Sequence, residues 1–237
     1  MIETTITIDG PAASGKTTIG YELAQAIGYV FLDTGVMYRV VTLAALNANI
    51  DPQDEASVVQ IAQTLDFDIH PEIDHVDGRH YTVLVNGADA TWELRKTAVN
   101  QNVSAVASYS LVREELVRLQ REFAEGHATV MVGRDIGTVV LPDAPLKIYL
   151  EATAEIRARR RMGDHLQRNY NTVEFEKILA DIIRRDEIDS SREHSPLKPA
   201  ADALIIDTSE LTPEGVLQAM LNAAKERGLP IMTNNQC

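Results

Sequence analysis

The sequence predicts an α/β protein built on a doubly wound parallel sheet of about five strands, and three features predict it. TTITID, residues 4–9, is a β-branched run that stops at Gly10-Pro11, and TTIGYELAQAIG then carries apolar residues at helical spacing until Gly28. YVFLD followed by MYRVVTLAALNA repeats the strand-then-helix order, with Thr34 in the N-cap position. Two such units in succession imply parallel strands joined by right-handed crossovers. Three more buried-strand runs, ATVMVG, LKIYLEA and ALIIDT, complete the count before a C-terminal helix that ends near Gly228.

The pattern changes after about residue 64. FDIHPEIDHVDGRHYTVLVNGADATWELR places Asp77-Gly78 and Asn86-Gly87 turn signals between β-rich runs, which predicts a small antiparallel hairpin sheet. The expected organisation is a core of residues 1–64 and 98–237 with an insertion at 65–97. Helical pattern resumes in AVNQNVSAVASYSLVREELVRLQREFAEG. No internal repeat or low-complexity linker interrupts the chain, and the tail TNNQC is expected to be disordered.

The 237 residues, 45% of them hydrophobic, suffice for a buried core without staples. The single cysteine, Cys237, excludes a disulfide framework and a Cys/His metal cluster, and points to a reducing, cytoplasmic compartment. No apolar run is long enough for a membrane span. A formal net charge of −13 argues against nucleic acid and anionic membranes as partners. The basic residues are unusual in kind: sixteen are Arg and six are Lys, and eight of the Arg lie between Arg157 and Arg192. Arginine's planar fork suits phosphate oxygens, so the cluster points to a small phosphate-rich ligand.

Gly10, Pro11, Ala12, Ala13, Ser14, Gly15, Lys16 and Thr17 match G-x-x-x-x-G-K-[ST], and Thr18 follows. Between a strand and a helix, this loop wraps nucleotide phosphates with backbone N–H groups, Lys16 reaching the β- and γ-phosphates and the Thr17 hydroxyl a Mg²⁺. A guanine-reading switch would carry N-K-x-D and a motor ATPase a strand ending in Asp-Glu; neither occurs, so a small kinase remains. Two other strand ends hold candidates, since ligands of open parallel sheets bind there. In Asp33-Thr34-Gly35, Thr34 and the helix N-terminus can hold an anion, with Arg39 little more than a turn further on. Gly133-Arg134-Asp135 follows ATVMV, and Arg185, Asp189 and Arg192 fall at i, i+4 and i+7. A capped helix, a local ion pair and a salt-bridged face would explain each segment singly. His70, His75 and His80 recur at equal intervals, but without a carboxylate cage no metal site is expected, and Trp92 is read as a packing residue.

Taken together, IDGPAASGKTT, LDTGVMYR, VREELVRLQREF, GRDIGTVVLPDAPLKIYL, RRDEIDSSREHSPL and ADALIIDTS resemble the bacterial cytidylate kinase family. The resemblance implies a P-loop kinase core that phosphorylates CMP and dCMP from ATP with Mg²⁺. The insertion fits an enlarged monophosphate-binding part, and a mobile lid is expected at about 161–172. It implies that Thr34, Arg39, Arg134 and Arg192 hold the acceptor phosphate, and that Ser104, Arg113 and Asp135 surround the cytosine. Arg185 and Asp189 would lie near the pentose and phosphates. Arg157 and Arg161, at the start of the lid, join Lys16 and Arg185 as the cations expected at the transferring group. Val132, where many relatives have an acidic residue, and GDHLQRNYNT in the lid depart from the family pattern.

The residue types make chemical sense of that assignment. A carboxylate such as Asp135 can accept from the cytosine amine while Arg113 donates to ring acceptors, and uracil would leave the carboxylate facing an oxygen. The rivals are a kinase of another small acceptor, UMP or an alcohol such as shikimate, and a non-enzymatic nucleotide-dependent binding module. A monomer is expected.

Overall fold

The computed structural model describes residues 4–71, 77–167 and 174–231. It divides into two compact units, residues 1–32 with 124–237, and residues 33–123. The second is wider than the 65–97 segment expected as an insertion.

The first unit carries a five-stranded sheet in the order β2-β6-β1-β7-β8. Its strands are β1 (Thr5–Asp9), β2 (Val30–Asp33), β6 (Thr129–Gly133), β7 (Leu146–Glu151) and β8 (Leu204–Asp207). β1 pairs in parallel with β6 on one side and β7 on the other, so that Asp9 stands level with Gly133 and Tyr149. A central first strand with later strands on both flanks is the doubly wound arrangement, and its strands read as near-continuous apolar runs because both faces are covered. Ile6, Ile8, Val130, Met131, Ile148 and Leu150 are accordingly buried. The helices of this unit are α1 (Lys16–Ile27), α6 (Ala154–Gln167), α7 (Phe175–Ser191) and α8 (Pro213–Glu226).

The second unit contains α2 (Thr34–Asn47), α3 (Glu55–Thr64), α4 (Thr97–Val106) and most of α5 (Ser110–Glu125), with an antiparallel sheet of β3 (Phe67–Pro71), β4 (Tyr81–Val85) and β5 (Ala88–Asp89). Asn86 and Gly87 turn β4 into β5 with φ of 50° and 77°, a left-handed pair that Asn-Gly tolerates. Met37, Val41, Val58, Val103, Val106 and Leu116 form one core across α2, α3, α4 and α5.

Several expectations are adjusted. Asp33, not Thr34, is the N-cap of α2: its carboxylate accepts from Gly35 N at 3.0 Å, and Thr34 is the first helical residue. The helical stretch from residue 98 is two helices, broken at 107–109. Arg192 is the C-cap residue of α7: its φ of −57° is still helical and its ψ near 137° turns the chain out of the helix, so it stands with Arg185 beside Asp189. Trp92 is 36% exposed; the Arg79 and Arg95 guanidinium groups each lie over its ring, at 5.9 and 4.9 Å, and its indole N–H donates to Asp77. His75 and residues 168–172 of the expected lid lie outside the described residues.

Candidate active site

The phosphate loop leaves β1 at Gly10, whose φ of 148° suits glycine and where a Cβ would lie 2.1 Å from the Leu150 carbonyl oxygen. It enters α1 at Gly15, with φ of 96°, no capping side chain and no acidic residue in the first turn. The N–H groups and positive dipole end of α1 are therefore open to an anion.

Cationic side chains engage the first carbonyls of the loop, while Ser14 O accepts from the Thr208 hydroxyl at 3.5 Å. Gly10 O accepts from Arg134 Nη1 at 3.0 Å, Pro11 O from Lys16 Nζ at 2.6 Å, and Ala12 O from Arg157 Nη1 at 3.2 Å. Three successive carbonyls held in this way fix a loop whose amides must face the other side. Each arginine is itself anchored on α7. Arg134 Nε donates to Asp189 at 2.9 Å, and Arg157 forms a two-pronged pair with Asp186, at 3.1 and 2.5 Å, while its Nε donates to Ala152 O. Burial raises the Asp189 carboxyl, but Arg134, Arg185 and Arg192 together outweigh it and hold it below the usual carboxylate range. Arg192 donates to the Asp189 and Ser195 carbonyls.

A cavity of about 450 Å³ opens on this loop, lined by Ala13–Ile19, by Arg160, Asp164 and Thr208, and by the apolar Leu211, Pro213 and Val216. Arg160 donates to the Thr208 hydroxyl and carbonyl. Arg161, beside it, is half-buried, with Asp181, Asp164 and Arg134 as its charged neighbours. Thr17 and Thr18 sit on the cavity wall.

After β6 the chain passes through Arg134 and the buried Asp135 into one turn of π-helix, Ile136–Val140. Asp9, at the end of β1, accepts from the amides of Ile136 and Gly137, each at 2.8 Å. In the second unit, Thr34, Ser104 and Arg113 are buried. Arg113 lies over the Tyr38 ring at 5.5 Å and donates to Ala107 O, while Arg39 donates to Leu94 O and to Asn100 Oδ1 at 2.7 Å.

The structure thus brings Lys16, Arg134, Arg157 and Asp189 together around the loop. It adds Asp9, Arg160, Asp186 and Thr208, which the sequence reading did not single out. Arg160 lay inside the recognised arginine run, but a one-residue step turns a helical side chain by about 100°, and the run alone does not say which arginine meets the loop.

A doubly wound sheet with an open helix N-terminus, a lysine and anchored arginines around one glycine loop defines a P-loop phosphotransferase. Residues 6–226 match the family model described as cytidylate kinase. Relatives include cytidylate kinases of Roseiflexus castenholzii, 46% identical over 94% of each chain, and of Herpetosiphon aurantiacus, 48% identical over 92% of each. The chain belongs to the cytidylate kinase family. Among solved structures, an uncharacterized protein from Eubacterium ventriosum, 11% identical, covers 94% of this chain and 99% of its own with a TM-score of 0.52, a likeness of fold alone.

Proposed function

We propose that the chain transfers the γ-phosphoryl group of ATP to CMP or dCMP, giving ADP and CDP or dCDP. The relationship across residues 6–226 carries this reading, because it spans the loop, the turn after β6 and the arginines of α7. The donor triphosphate takes the amides of Ala12–Thr18, with Lys16 reaching the β- and γ-oxygens. Leu211, Pro213 and Val216 offer an apolar wall for its base.

Among the described residues no three His, Cys, Asp or Glu gather as a metal cage. The Thr17 hydroxyl on the cavity wall suits a Mg²⁺ ion that takes most of its ligands from substrate and water. When bound, that ion neutralises charge on the donor phosphates.

The acceptor phosphate has a second pKa near about 6, so its attacking oxygen is anionic at neutral pH and needs no general base. Thr34, Arg39, Arg134 and Arg192 bind that phosphate, Arg185 and Asp189 lie near the pentose, and Ser104, Arg113 and Asp135 read the cytosine. Lys16, with Arg157, Arg161 and Arg185, stabilises the charge that spreads over the transferring group. None of the described helices is long and apolar enough to cross a membrane, and the reading needs only a cytoplasmic monomer without nucleic acid or membrane.

A coupled ADP-release assay across CMP, dCMP, UMP, AMP and GMP tests it. CMP and dCMP are expected to support turnover best; equal or greater rates with UMP would refute cytosine reading, and ADP release independent of any acceptor would refute the kinase.

A further inference from the structure

Asp9 takes no part in the transfer described above, yet its buried side chain spends both oxygens on the amides of Ile136 and Gly137. Those amides begin the π-helical turn that follows Arg134 and Asp135 directly. The turn lies hard against the sheet: a Cβ on Gly137 would come within 2.9 Å of Thr7 Oγ1 and 3.2 Å of Lys147 Cδ. The side-chain hydroxyl of Thr7, two residues before Asp9 and on the same face of β1, has no hydrogen-bond partner among the described residues, so the side-chain grip on the turn comes from Asp9. A neutral amide side chain could accept only one of the two bonds and would set its own N–H against the other donor.

Resting on the reading of Asp135 as the cytosine-facing carboxylate and Arg134 as a phosphate ligand, we infer that Asp9 is a positioning residue for acceptor selection, clamping the turn after β6 so that both side chains are preset.

A buried carboxylate is costly, and one placed where it has no reaction step of its own fits such a role. Burial pushes Asp9 up to about 6 from its ordinary 3.8; the Gly137 and Ile136 amides oppose the rise, Asp135 adds to it and Lys16 opposes it. Tyr149 of β7 also faces it. Because the native carboxyl keeps its proton above 3.8, its contribution to stability is full below that value and is lost as pH rises through about 6. The clamp runs the other way, complete above about 6 and short of one acceptor below it.

The test is the ratio of kcat/KM for CMP over UMP, measured from about pH 8 to about pH 5.5 in the wild type and in Asp9→Asn. Both acceptors carry the same phosphate, so its titration cancels in the ratio. The wild-type ratio is expected to fall about threefold by about pH 5.5, where about three-quarters of a carboxyl titrating at about 6 is protonated. The Asp9→Asn ratio is expected to be low throughout and to change less than about twofold, with KM for CMP raised and KM for ATP little altered. A wild-type ratio that is flat with pH overturns the inference without any variant. So does an equal fall in both proteins, which would assign the titration to another group, or an equal rise in both KM values, which would mean general damage to the loop. Wild-type protein that does not turn over CMP at all contradicts the proposed function instead, a separate result.

Discussion

Lys16 and Asp135 carry opposite kinds of information, one about the transferring group and one about the acceptor. The Lys16 ammonium is bonded to Pro11 O and, at 3.3 Å, to Ser14 Oγ, so its charge is held at the loop. Lys16→Met should lower kcat by roughly a hundred- to a thousandfold, the loss typical of one charge-stabilising donor, and near-normal turnover would remove Lys16 from that role. Asp135→Ala should raise KM for CMP and narrow the CMP/UMP preference by about tenfold, read from steady-state kinetics with both acceptors. At this scale the sequence was informative wherever a motif named the residue. Asp9 escaped because a strand-ending Asp before Gly-Pro reads as an ordinary turn, and its partners Ile136 and Gly137 are more than a hundred residues away. Asp186 sat in plain view beside Arg185, but its pairing with Arg157 depends on how α6 and α7 dock.

Helix ends explain how two similar strand-to-helix units come to differ. α1 begins at Gly15 with no capping side chain, whereas α2 begins with the Asp33 carboxylate already on the Gly35 amide. An anion therefore meets no capping side chain at the first, whereas at the second the Gly35 amide is already taken by Asp33 and Thr34 offers its hydroxyl from inside the helix. The loop joining β1 to α1 depends on close backbone approach at Gly10. Gly10→Ala should cost more than about 2 kcal/mol in urea unfolding, because its Cβ would strike the Leu150 carbonyl and its φ disfavours side chains. Stability equal to the wild type would show that β7 can yield there. Strands and the first helix were legible because their periodicity is local. The break between α4 and α5 was not, since apolar spacing continues across 107–109 and only backbone geometry reveals the interruption.

For the molecule as a whole, the sheet was legible because buried parallel strands leave apolar runs, and the hairpin because Asn86-Gly87 dictates its turn. The extent of the second compact unit was not. Val99, Val103, Val106 and Leu116 show only that α4 and α5 bury a face; that α2 and α3 share a core with α4 and α5 is a tertiary fact. The acidic net charge leaves the arginines around the loop as a local exception, suited to a polyanion small enough to be enclosed. The activity that unites these features is the passage of one phosphoryl group from ATP to the phosphate of a cytidine nucleotide. Following the label from γ-³²P-ATP in the presence of CMP tests it most directly. Label is expected in the β-phosphate of CDP; label appearing only in inorganic phosphate, or on UMP in preference to CMP, would overturn that assignment.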